Sequence, residues 1–188
     1  DVALLQGAIT HALIRAINPE WKRVGVLASR EALDEMAELT RCAIRANMNM
    51  NLYPVADKSD LLESLEQATE ENHVLLALPD ASIYNPQTVK NILLTSYRNR
   101  TPLIGYSENF VHAGAVAAVF TSADSAGVQA AKIIAGFFAG RHGFDRETYF
   151  PEDFTVTTNR QVGRALNLAL PDEDELREVI KEVERRNE

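Results

Sequence analysis

A chain of 188 residues with 46% hydrophobic and 24% charged residues has the balance of one sizeable globular domain, which excludes a disordered protein. A formal net charge of −8 removes any general attraction to phosphate backbones, so no nucleic-acid partner is expected. The single cysteine, Cys42, excludes an intramolecular disulfide, and no stretch reaches the roughly 20 apolar residues of a membrane span.

Helical spacing of Leu5, Ala8, Ile9, Ala12, Leu13, Ala16 and Ile17 predicts a helix over 2–17, stopped at Asn18-Pro19. Val24-Gly-Val-Leu-Ala28 reads as a buried parallel strand, and Ser29 is placed to cap the next helix. That helix should bury Leu33, Met36, Ala37, Ala43 and Ile44. The cycle then repeats. A strand over 51–55 precedes a helix capped by Asp57 or Ser59, with Leu61, Leu62, Leu65 and Ala68 on one side. Val74-Leu-Leu-Ala-Leu78 is another buried strand, and Asn85-Pro86 predicts a helix start whose inner face carries Val89, Ile92, Leu93 and Tyr97. Thr101-Pro102 leads into a strand over 103–106.

Beyond Tyr106 a short helix over 108–112, a strand over 115–120 and a helix from Ser122 to Gly140 are expected, the last with Ala130, Ile133, Ile134, Phe137 and Phe138 inward. Residues 140–153 read as a connecting loop. A strand over 154–158, a helix led by Asn159 and a last helix from Pro171 with Leu176, Val179, Ile180 and Val183 inward complete the chain. Alternation of this kind implies βαβ units. The expected fold class is α/β, a three-layer flavodoxin-like or Rossmann-like parallel sheet.

Ligands of an open parallel sheet bind beyond the carboxyl ends of its strands. That rule selects Ser29 and Arg30 after the first strand, Asp80, Ser82, Tyr84 and Asn85 after the third, and Ser107 and Phe110 after the fourth. These are the candidate ligand-binding residues. Backbone N–H groups at the helix starts there favour an anionic ligand group such as a carboxylate. Each residue also has a structural reading: Ser29 and Asn85 as helix caps, Asp80 as a solvated loop carboxylate, Tyr84 and Phe110 as packing.

No catalytic set stands out. Neither Gly-rich phosphate motif occurs, nor a G-x-S-x-G elbow. His11, His73, His112 and His142 are far apart in sequence, and Cys42 lies near the buried side of a helix. No catalytic residue, metal ligand or cofactor is expected.

Four stretches together resemble one family: Trp21-Lys-Arg-Val-Gly-Val-Leu27, Tyr84-Asn-Pro-Gln-Thr-Val-Lys-Asn-Ile-Leu93, Arg100-Thr-Pro-Leu-Ile-Gly-Tyr-Ser107 with Val111-His-Ala-Gly-Ala115, and Val156-Thr-Thr-Asn-Arg-Gln-Val-Gly-Arg-Ala-Leu166. They are similar to the ABC-transporter substrate-binding proteins, the uncharacterised and tryptophan-type aromatic amino-acid binders. The resemblance implies a type I periplasmic binding-protein fold, with two lobes and a ligand in the cleft between them. It implies a periplasmic protein that hands a small-molecule ligand, such as an amino acid, to a transporter permease and does not transform it. By the same analogy residues 1–107 form the C-terminal ligand-binding lobe, 108–153 cross to the other lobe, and 154–188 supply a closing strand and helices. Ser29-Arg-Glu-Ala32 departs from the family's Asn-Ser type loop, and most of the N-terminal lobe lies before the point where this chain starts. The helix bearing Phe137 and Phe138 is then expected to pack on the remaining lobe or on a second copy, as a homodimer. The alternative output of the same fold is a ligand-sensing domain of a signalling protein; an α/β enzyme is the third reading.

Overall fold

The structure, a computed structural model, describes residues 2–33, 36–140, 151 and 153–187. It divides into one compact unit of residues 1–119 and 156–188 and a second of residues 120–155.

Helix α1 (Val2–Ile17) leads into β1 (Arg23–Ser29), followed by α2 (Arg30–Leu33) and α3 (Met36–Arg45). Strand β2 (Asn49–Val55) and helix α4 (Lys58–Glu71) come next, then β3 (Val74–Leu76), α5 (Val89–Arg98) and β4 (Leu103–Gly105). Helix α6 (Glu108–Ala113), β5 (Ala117–Phe120), α7 (Ala123–Phe138), β6 (Thr155–Thr158), α8 (Arg160–Ala165) and α9 (Glu173–Asn187) complete the described chain.

The six strands form one sheet in the order β2-β1-β3-β4-β5-β6. Strand β1 pairs in parallel with β2 on one side and β3 on the other; β3–β4 and β4–β5 are parallel too. The order 2-1-3-4-5 is the flavodoxin-like one, and it reverses direction between β1 and β3.

Successive strand residues point to opposite faces, so each short strand feeds two cores. Leu27, Tyr53, Val55, Leu75, Ala77 and Leu103 join Leu65 and Ala68 of α4 and Ile92 and Leu93 of α5 in one buried cluster. The alternate residues Val24, Val26, Val74, Leu76 and Ile104 are also buried. Helix α1 packs against α3 and α9, and Leu13, Ile14, Leu176 and Ile180 of α1 and α9 are fully buried. Burial on both faces explains why these strands read as unbroken apolar runs.

Caps set several boundaries. Asp57 accepts from the N–H groups of Ser59 and Asp60 and starts α4. Asn159 accepts from the N–H of Val162 and starts α8. At the β3–α5 connection the expected helix start at Asn85-Pro86 is displaced. Residues 81–88 form turns, and α5 begins at Val89 with Thr88 in the cap position. The Asn85 side chain instead folds back on its own turn, accepting from the N–H of Gln87 and donating to the carbonyls of Ala81 and Ser82.

Several residues expected inward are exposed: Ala37 and Ile44 of α3, Leu62 of α4, Tyr97 of α5 and Val179 of α9. In each helix two or three neighbours at helical spacing already fill its narrow buried contact, such as Leu39, Cys42 and Ala43 in α3, which packs on α1 and β2, and Leu176 and Ile180 in α9, which packs on α1. Helix α7 departs most. No residue of it is buried; Ala130, Ile134 and Phe137 are exposed, Ile133 is half-exposed, and Phe138 is 81% exposed. Residues 120–155 supply no second apolar layer among the described residues to cover it. Most of the expected loop over 140–153, with His142, lies outside the described residues.

Candidate functional site

Strand order places the crevice outside the carboxyl ends of β1 and β3, where adjacent connections leave the sheet in opposite directions. Two of the loops singled out from sequence meet there, and Asp80 joins them. Its Oδ2 accepts from the Ser29 N–H at 3.0 Å, across 51 residues of sequence. Its Oδ1 accepts from the Ser82 N–H at 3.0 Å and from the Ser82 hydroxyl at 2.5 Å. Ser29 also accepts from the Ala32 N–H at 3.3 Å, which caps the short α2. Burial would raise the Asp80 carboxyl, but the hydrogen bonds from Ser82 and Ser29 outweigh it and hold the group below its ordinary value. The half-buried carboxylate is therefore charged near neutrality.

An aromatic cluster stands beside this brace. Tyr84 meets Phe110 edge-on at 5.7 Å and Tyr106 edge-on at 6.4 Å, while Tyr106 and Phe110 are tilted at 4.6 Å. Phe110 and Tyr84 are 7% exposed, whereas Tyr106 is half-buried. The close approach of Phe110 depends on Gly105: a Cβ there would lie 2.5 Å from the Phe110 Cβ. Burial pushes the Tyr84 hydroxyl well above its ordinary value, with Tyr106 and the Asp80 charge adding to it. The Tyr106 hydroxyl is raised by burial and then by Asp80. The Asp80 charge is thus felt at both phenols.

Of the eight sequence-selected residues, Ser29, Asp80 and Ser82 are joined by hydrogen bonds, and Tyr84 and Phe110 by ring contact. Asn85 sits in the same turn as Ser82 and stiffens it. Ser107 occupies the cap position of α6 without a side-chain cap bond. Arg30 is exposed at the start of α2, and no contact among the described residues ties it to the cluster. Tyr106 escaped selection because it reads as the last residue of a strand; its aromatic character at a strand's carboxyl end was the available signal. Among the described residues no group of three or more His, Cys, Asp or Glu could hold a metal ion, and no helix is long and apolar enough to cross a membrane.

A broad groove of about 860 Å³ lies elsewhere, bordered by His112, Thr158, Asn159, Arg160 and Glu173. Asn159 ties it to Val111 and to Val116, just before β5, which is the opposite edge of the sheet from the switch point. Its polar groups largely satisfy one another: Glu173 accepts from the Thr158 N–H and hydroxyl, and Arg160 pairs with Asp172. The switch point, with its converging loops, is therefore the candidate site.

A parallel sheet of this order with side chains gathered at its switch point defines a flavodoxin-like, doubly wound α/β architecture. The sequence profile of the ABC transporter substrate binding protein family matches residues 2–177, and the chain belongs to that family. Its fold is similar to an ABC domain from Streptococcus pneumonia solved in complex with L-Trp, at TM-score 0.69 and 18% identity over 88% of this chain and 58% of that one. A conserved domain protein from Vibrio cholerae matches at TM-score 0.70 and 20% identity, over 90% of this chain and 58% of that one. The ligand-free, open structure of a substrate binding protein with adhesive properties from Clostridium difficile matches at TM-score 0.71 and 15% identity, over 86% and 55%. The chain thus spans less than two thirds of each of these structures. No curated protein matches it.

Proposed function

We propose that the chain forms one wall of the solute site of an ABC transport system, and that the loops after β1, β3 and β4 present that wall. The solute is a small organic molecule of the amino-acid class, taken up in the periplasm and handed to a transporter permease without chemical change. The observation that carries this reading is the Asp80 brace at the switch point. It fixes the Ser29 loop against the Ser82 turn, beside three aromatic rings. Polar groups held by a rigid sheet, with an aromatic body next to them, are what selective binding of a small polar solute needs. The L-Trp complex of the similar Streptococcus domain supports the solute class. A thermal-shift survey of the chain against L-amino acids, amines, sugars and organic acids tests the reading. Concentration-dependent stabilisation by one class is expected, following the logarithm of ligand concentration over Kd. No stabilisation by any class, up to tens of millimolar, would refute it.

A further inference from the structure

A second polar cluster lies at the amino ends of β1 and β3, the far end of these strands from the candidate site. The His73 ring, just before β3, meets the chain where it enters β1: its Nδ1 accepts from the N–H groups of Lys22 and Arg23, both at 3.1 Å. A backbone N–H can only donate, so Nδ1 is unprotonated and the ring proton lies on Nε2. The Lys22 amide, one residue ahead of the strand, has no backbone acceptor among the described residues. The ring therefore does for this amide what a ladder carbonyl does further along β1. The entry is otherwise tied by the Asn49 N–H to the Lys22 carbonyl, the His73 N–H to the Arg23 carbonyl and the Arg23 Nε–H to the Glu71 carbonyl. Next to it Trp21, the chain's one tryptophan, is 7% exposed.

We propose that His73 is an acid-released latch on the connection between α1 and β1. The imidazolium carries an N–H on both nitrogens, so a proton taken from water at Nδ1 sets a third donor against two donors, and both bonds to the ring break. Burial first, and then the Arg23 charge facing the ring from β1, oppose that proton, so the release falls below the ordinary histidine value of about 6.5. The Glu71 carboxylate at the end of α4 is occupied by Tyr53 and Gln67, and Asn49 at the start of β2 and Pro102 ahead of β4 bring no charge. Only the entry opens. From Val24 onward β1 is paired with both β2 and β3, and Ser29 at its other end is held by Asp80. The opening is thus local, a few residues at a chain entry, and it admits water to Trp21.

The test is hydrogen exchange of the intact chain from pH 8 to 5, corrected for the intrinsic pH dependence of exchange, with His73 protonation followed by nitrogen NMR of its ring. The Lys22 and Arg23 amides should lose about tenfold or more in protection, with the midpoint at which His73 protonates, while the Val26 and Leu75 amides keep theirs. Trp21 emission should move to longer wavelength over the same interval. His73→Gln, whose side-chain carbonyl accepts but does not titrate, should abolish both changes. If that variant fails to fold by circular dichroism, the parent decides alone, by whether the amide and ring midpoints coincide. Protection of Lys22 and Arg23 that survives protonation of the ring would overturn the latch. So would the same loss in folded His73→Gln, or a His73 that stays neutral down to pH 5. Loss of protection at Val26 and Leu75 together with the entry amides would overturn it too, since that is unfolding of the whole unit.

Discussion

Replacing Gly105 with alanine is the sharpest single perturbation of the site. The added Cβ would lie 2.5 Å from the Phe110 Cβ and 3.0 Å from its Cγ. Ordinary carbon contacts sit at about 3.5–4.0 Å, so a displacement of about 1 Å is required. Rotating the Phe110 ring does not help, because its Cβ is fixed to the backbone. That backbone is held by the Phe110 N–H to the Ser107 carbonyl and by the Phe110 carbonyl, which accepts from Gly114 and Ala115. Helix α6 must therefore shift as a body. Overpacking of this kind costs about 1–3 kcal/mol. The lost glycine freedom in the unfolded chain returns about 0.4–1 kcal/mol, leaving a net loss of about 1–2 kcal/mol. At about 2–4 °C per kcal/mol for a chain of this size, Tm should fall by about 2–8 °C. The assay is thermal and urea unfolding, with near-ultraviolet circular dichroism of the aromatic cluster. The control is Gly127→Ala in α7, where a Cβ meets nothing within 4 Å; it should be neutral or stabilising by about 0.5–1 kcal/mol. A Gly105→Ala protein as stable as the parent, with unchanged aromatic dichroism, would refute the packing argument.

Asn72→Ala should destabilise the first unit by about 2–3 kcal/mol in urea unfolding, because the buried Asn72 amide donates to the Tyr53 hydroxyl and the Ala68 carbonyl and accepts from Asn51. The Tyr53 hydroxyl, pushed up to about 12 by burial and then by Glu71, keeps its proton and its bond to Glu71 throughout the range of that experiment. His73 gives a pH signature: its Nδ1 accepts from the N–H groups of Lys22 and Arg23, both at 3.1 Å, so the proton resides on Nε2. Burial, and then the Arg23 charge, lower its pKa in the folded chain. The unfolded state therefore binds the proton first, and the His73 contribution is complete above about pH 6.5 and lost as pH falls below it. Stability measured from pH 8 to 5 should show that loss in the parent and a smaller slope in His73→Gln; equal slopes would contradict it. Changing Asp80 and Asn85 together to alanine should reduce the thermal stabilisation given by whichever solute the survey identifies, and an undiminished shift would remove both from the site.

How far the sequence could be read varies along the chain. The alternation of strands and helices through Tyr106 was legible, because parallel strands buried on both faces leave unbroken apolar runs such as Val74-Leu-Leu and because Ser29 and Asp57 mark helix starts. Asn85-Pro86 misled, since an asparagine that closes its own turn has the same local signature as one that caps a helix. The inward faces were drawn too wide. A helix lying on a sheet covers only a strip, and periodicity cannot say how wide that strip is, so Ile44, Leu62 and Tyr97 ended outside.

By itself the sequence determined the fold class, the family, and the loops at the strand ends that carry polar and aromatic residues, because these follow from local periodicity, capping chemistry and motif order. Only the tertiary structure decided that Asp80 reaches across 51 residues to the Ser29 amide, and that Tyr106 completes the ring cluster of Tyr84 and Phe110. Those contacts join chain segments through the strand order 2-1-3-4, and strand order is set by the packing of the two helical layers, which no local signal in the chain encodes.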